Sequence, residues 1–220
     1  MKTSLLKWTL RFGAIVCAAT FLQAADTVRF NAQPRGSKVS VEGTSTIHDW
    51  TVEGAVVAGS FEVESAFLTD KSLKSVACLN TKGQAPKVEV TIPIRSLKSG
   101  KEKMDEIMQE AMNSKEFGQI KYKVTEMTVK GAVPDSGTPV KFSTKGNLSM
   151  SGATNSVDME VTMERLEGDK IKFTGSKVVK MTDFKITPPA PKIALNMIKT
   201  GDEVTVKFDW VLAQKKEEAK

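Results

Sequence analysis

Histidine and cysteine are nearly missing from this sequence: His48 is the only histidine, and Cys17 and Cys78 are the only cysteines in 220 residues. A zinc site takes several nitrogen or sulfur ligands, which these residues do not supply, so no metal site is expected. Copper held by His48 and methionines is a weaker alternative, because apolar stripes account for the methionines. Ser45, His48 and Asp49 have the residue types of a catalytic triad. Residues this close on an extended strand face alternately, however, and do not align nucleophile, base and orienting group. His48 is therefore expected to hydrogen-bond near a strand end, with no catalytic residue and no enzymatic activity. A hydrolase would require it beside an activated hydroxyl. There is no arginine-rich run and no set of exposed aromatics interleaved with basic residues, so nucleic acid is not an expected partner.

Long apolar runs are also scarce. The one run, Phe12 to Leu22, is interrupted by Thr20 and is shorter than the roughly 20 residues a membrane-spanning helix needs. It follows Lys2, Lys7 and Arg11 and precedes Leu22-Gln23-Ala24, the order of a cleaved export signal over residues 1–24. Val16 stands before Cys17 where lipid attachment wants a small residue, so lipidation is not expected. Cleavage lowers the net charge from +6 to +3 and places the protein in the periplasm or outside the cell. Only Cys78 then remains. It cannot form an intramolecular disulfide, although the compartment permits one, and it reads as a small buried hydrophobe. A redox or dimer-forming thiol is the lesser alternative, and a homodimer stays open. No composition break divides residues 25–220, which are expected to form a single domain.

What is abundant is alternation. Val88, Val90, Ile92 and Ile94, then Val140 and Phe142 with Leu148 and Met150, then Val157 to Met163, and Val204 to Leu212 each place apolar side chains two residues apart. Period two puts them on one face of a strand. Weaker strands are expected at 38–42, 50–56, 59–63, 73–79, 120–128 and 171–179. Turn signals such as Pro134-Asp135-Ser136-Gly137 and Glu167-Gly168-Asp169 separate the segments. The connections are too short for crossover helices, so neighbours should pair antiparallel.

One segment has a different period. Met104, Ile107, Met108, Ala111 and Met112 form the apolar stripe of an amphipathic helix over about 101–113. Ser99 and Glu102 fit a capping box, with Asn113 as the stop. Its pliable methionines suit either the plug of a core or the seal of a variable cavity. These elements admit a sandwich or a barrel, and the long strands favour an all-β, antiparallel barrel of about eight strands with one inserted helix. A barrel of that size is filled by side chains or holds one small ligand.

Three pieces of the chain match a known family in order and spacing. They are Lys145-Gly146-Asn147-Leu148-Ser149-Met150-Ser151-Gly152-Ala153-Thr154, Met181-Thr182-Asp183-Phe184-Lys185-Ile186, and Gly201-Asp202-Glu203-Val204-Thr205-Val206. With the strand, helix and aromatic strand between Ser96 and Tyr122, they resemble the YceI-like, polyisoprenoid-binding proteins from about Val39 to Leu212. Lys185 stands where that family usually has glycine. The resemblance implies an exported, lipocalin-like barrel holding a polyprenyl lipid or quinone tail, for carriage, storage or stress protection. No other cofactor is expected. The expected wall comprises Val90, Ile92, Tyr122, Phe142, Leu148, Met150, Phe173, Phe208 and Trp210, faced by Met104, Met108 and Met112. Lys180, Lys185, Lys192 and Lys199 around Thr187-Pro188-Pro189-Ala190-Pro191 are placed to meet a lipid head or touch a membrane surface transiently. The alternative is a filled barrel that acts through its surface without a bound lipid.

Overall fold

Alternation becomes register in the computed structural model, which describes residues 26–193 and 196–216. The expected leader, 1–24, lies outside the described residues. The strands are β1 (Thr27–Ala32), β2 (Lys38–Ser45), β3 (Trp50–Gly54), β4 (Ala58–Glu64), β5 (Lys87–Pro93), β6 (Gln119–Val129), β7 (Val140–Met150), β8 (Ala153–Leu166) and β9 (Lys170–Lys180). They are followed by the two-residue pair β10 (Lys192–Ile193) and β11 (Asn196–Met197), and by β12 (Thr200–Gln214). The hydrogen-bonded order β1-β4-β5-β6-β7-β8-β9-β12 returns from β12 to β1 and closes an antiparallel barrel of eight strands. Fifteen-residue β12 carries β1 at one end, through Phe30 opposite Gln214, and β2 at the other, through Val39 opposite Phe208. The barrel therefore has a β1–β4 wall at one end and a β2–β3 wall at the other.

The first end is packed solid. Phe30, Phe61, Val140, Phe142, Met163 and Leu212 are all at 0–1% exposure. Short helix α1 (Ala66–Thr69) and the loop after it bring Phe67, Leu73, Val76 and Leu79 into the same cluster. A strand was expected at 73–79; the structure instead has a loop ending in a 3-10 turn at Ala77–Leu79. Its apolar residues recur every third position, and carboxylates claim its backbone. Asp70 accepts from the amides and hydroxyls of Ser72 and Ser75, and Glu64 accepts from the amides of Ala77 and Cys78. Ladder pairing has no donors left there. Cys78 is buried, and burial pushes its thiol up to about 11, which suits an inert hydrophobe.

The second end is split along two seams. Pairing of β8 with β9 stops at Val161 opposite Gly175, although both strands continue. Phe184 and Ile186 fill the gap against Val157. That segment is held by Asn155, which donates to the Asp183 carbonyl, and by Asp202, which accepts from the amide and hydroxyl of Thr182. Lys185 there has φ 59, the left-handed conformation that glycine adopts without cost. On the other seam, the edge of β3 away from β2 is met by Lys98, through reciprocal Glu53 and Lys98 backbone bonds of 2.8 Å. Helix α2 (Glu102–Ala111) follows this point in the chain and precedes β6.

Candidate ligand-binding site

Inward residues of one strand and one parity differ in burial along the barrel. Val140 and Phe142 are inaccessible, whereas Leu148 and Met150, further along β7, are only half-buried. Val90, Ile92, Tyr122, Met159, Val179, Val206 and Phe208 also face inward and are half-buried. They border a cavity of about 480 Å³, within the usual range for small-ligand sites.

Glycine keeps that space open. The Phe208 ring lies so close over Gly175 that a Cβ there would sit 2.7 Å from Cζ. Tyr122 covers Gly146 and Trp50 covers Gly43 in the same way, with contacts of 2.5 and 2.2 Å to a built Cβ. Rings that lie along the wall do not cross the lumen. Tyr122 also reaches the Val157 carbonyl through its hydroxyl at 3.4 Å, and burial pushes its phenol up.

Eleven of the twelve residues expected in the wall line the cavity: Val90 and Ile92 from β5, Tyr122 from β6, Leu148 and Met150 from β7, Phe173 from β9, Phe208 and Trp210 from β12, and Met104, Met108 and Met112 from α2 and its C-cap. Phe142 does not; it is fully buried in the packed end, where the barrel is already filled. A bulge explains one inward residue that parity alone misplaces. Register slips between Val124 and Glu126, so the inward face of β6 passes from Tyr122 and Val124 to Met127. An extra residue in a strand does this by flipping all that follow. Valines 39, 41 and 52 and Phe61 are also part of the wall.

The methionine stripe of α2 thus faces the cavity. Its N-terminus differs from the expected capping box. The Ser99 amide and hydroxyl both donate to Asp105 Oδ1 at 2.7 Å, and Glu102 takes no part. Glu102 is exposed, while Asp105 is buried one turn on, 3.5 Å from Lys98 Nζ. At the other end Asn113, at φ 48, is the stop: its amide bonds the Glu110 carbonyl and that of Ser114 bonds Gln109, a Schellman ending. Hydrogen bonds from Ser99, aided by Lys98, hold the Asp105 carboxyl below its ordinary value. A depressed folded value stabilises the protein above the unfolded pKa of about 4, and the gain is lost as pH falls through the folded value. Asp105→Ala should cost about 1–2 kcal/mol at neutral pH, and the deficit should vanish in acid. Urea melts of both proteins against pH check this.

The cavity reaches solvent at Ile47, His48, Lys101, Lys103 and Lys180, which are exposed lining residues. Here His48 Nδ1 lies 2.7 Å from the Asp49 carbonyl, and the Ser45 hydroxyl donates to the His48 carbonyl. Ser45 therefore organises the β2–β3 turn, and its hydroxyl is directed at backbone rather than at the imidazole. Among the described residues there is no group of three acidic, histidine or cysteine side chains suited to a metal. No helix among them is long and apolar enough to cross a membrane.

A family model described as the YceI-like domain matches residues 21–212. The chain belongs to the YceI-like domain family. Among solved structures, BcnA of Burkholderia cenocepacia is 18% identical with a TM-score of 0.59, over 82% of this chain and 98% of that one. A polyisoprenoid binding domain from Saccharophagus degradans, implicated in plant cell wall breakdown, is 13% identical with a TM-score of 0.58, over 84% of this chain and 98% of that one. At these identities the likeness is one of fold, and the YceI-like barrel is that fold. No curated protein matches the chain.

Proposed function

We propose that this protein is exported, through a leader at residues 1–24, and holds a long apolar chain, such as the tail of a polyprenyl lipid or quinone, inside its barrel. Carriage, storage or protection of that lipid would follow from sequestering it, and catalysis has no part in this role. The observation that carries the reading is the apolar lumen, bordered by no aspartate or glutamate among the described residues. Such a space favours hydrocarbon through burial, at about 25 cal/mol per Å² of apolar surface. Family membership and the fold shared with a polyisoprenoid binding domain support the choice of ligand. A filled barrel acting only through its surface fits less well with an open lumen. Ile47, 63% exposed at a mouth that Lys101 and Lys103 also border, suits brief contact with an anionic membrane during loading. Native mass spectrometry of protein from its own host should show a bound apolar mass. In delipidated protein, affinity for a series of alkyl alcohols should rise about fourfold per added methylene until the cavity is full. No copurified lipid together with no chain-length dependence would sink the reading.

A further inference from the structure

Lysines on the strands of this barrel mostly point outward, where several find carboxylates and others, such as Lys121, Lys141 and Lys145, are exposed to water. Lys38 pairs with Asp209, Lys87 with Glu62, Lys172 with Glu164 and Lys207 with Glu42. Lys177 is placed differently. On β9 it shares parity with Ile171, Phe173, Gly175 and Val179, so its side chain is on the inner face, half-buried and lining the cavity. Register puts it opposite Val206 of β12, which is opposite Val41 of β2, which is opposite Val52 of β3. Its neighbours at that level are thus valines. It lies one inward position deeper than the level formed by Val179, Val204 and Gly43, over which Trp50 is folded.

No hydrogen bond or ion pair from its ammonium is present among the described residues, and its strand has run past the end of β8 pairing at this point. The other charged groups on the lining are Lys101, Lys103 and Lys180, all of the same sign. Of these, Lys103 is engaged by Glu106 at 2.9 Å. A charge among apolar groups is costly unless paired, and low-dielectric walls lined by one sign of charge concentrate its field in the cleft. The wall supplies no counter-ion, while a ligand entering from the mouth can.

We propose that the cavity selects single-chain amphiphiles with an anionic head, phosphate or carboxylate, whose oxygens accept from Lys177 while the tail fills the apolar lumen below. This rests on the lipid-binding reading and narrows it from any apolar chain to those with an acidic end. A long basic side chain at an apolar boundary can lay its stem along the wall while its ammonium reaches toward water. The three rim lysines would steer the same head inward.

The test compares farnesyl monophosphate with farnesol, and palmitate with hexadecanol, on delipidated protein by titration calorimetry. Each anionic amphiphile should bind about tenfold or more tightly than its alcohol, with the difference shrinking as salt is added. Lys177→Met, which keeps the stem's bulk, should reduce that preference below about threefold, while Lys177→Arg should retain it. Circular dichroism shows that each variant is folded. Equal affinity for phosphate and alcohol, or an unchanged preference in Lys177→Met, overturns the proposal and leaves the lipid reading standing. Displacement of farnesyl monophosphate by equimolar inorganic phosphate overturns it in favour of a free-anion site. Failure of all four amphiphiles to bind removes the lipid reading and this proposal with it.

Discussion

Met159→Trp is expected to lower affinity for a farnesyl or palmityl chain by at least about tenfold without lowering the urea midpoint. Met159 faces inward from β8 opposite Thr144, is half-buried, and packs against both the solid end and the Val157, Phe184 and Ile186 cluster. It therefore sits at the waist of the cavity. In a close-packed core an added indole forces neighbours out of their rotamers and costs about 1–3 kcal/mol. Beside empty space it gains dispersion contacts that the wall otherwise lacks, and stability should hold or rise. The same volume is then denied to a ligand. One variant thus separates the two architectures that strand alternation admits. A hollow barrel loses ligand and keeps its stability; a filled one loses stability and has no ligand to lose. Destabilisation with binding intact would contradict the site placement.

Strand identity and the inward face were legible because a period of two survives in the sequence wherever one face is covered, and eight paired strands follow from it. The helix was legible for the same reason at a period of 3.6, down to its stop at Asn113. The packed and hollow ends were not separable by that signal. Phe142 and Leu148 have equal parity and similar hydrophobicity, and they differ only in what stands opposite. The signal that distinguishes them is glycine at inward positions, at 43, 146 and 175, beneath Trp50, Tyr122 and Phe208. Leu73 to Leu79 misled because apolar density resembled a strand, while the deciding partners, Glu64 and Asp70, lie outside the segment. β1 carries Val28, Phe30 and Ala32 in clear alternation; it is short and borders the expected leader, yet it closes the ring. Lys177 was legible in principle, as a charge in phase with Phe173 and Val179. A polar residue in an apolar phase is where consistency between sequence and fold breaks, and such breaks concentrate at functional positions.

Phe67→Ala should be the most damaging single substitution outside the lumen, costing about 3–5 kcal/mol. The ring is wholly inaccessible and meets Phe61 edge-on at 5.4 Å and Phe30 at 5.8 Å between centroids. Phe61 in turn packs on Phe173 at 5.3 Å, and Phe173 on Trp210 at 6.1 Å, so Phe67 is the outer end of an aromatic row whose inner members stay packed on one another. The ring also carries the Arg165 guanidinium, whose Cζ stands 4.4 Å from its centroid. Arg165 Nη2 donates to the Phe67 carbonyl at 2.8 Å, while its Nε is buried without a partner. That half-buried charge depends on the aromatic face, and removing the ring leaves it above a void. Phe67→Leu, which fills most of the volume but offers no π face, should cost about 1–2 kcal/mol. The gap between the two variants measures the cavity contribution, and Phe67→Leu alone measures the lost aromatic and cation–π contacts. A domain of this size loses about 2–4 °C per kcal/mol, so Phe67→Ala should melt about 6–20 °C below the wild type. A shift of under about 3 °C by calorimetry would mean that α1 does not seal this end of the barrel. Ligand affinity at temperatures where the variant is folded should change little, because Phe67 does not line the cavity.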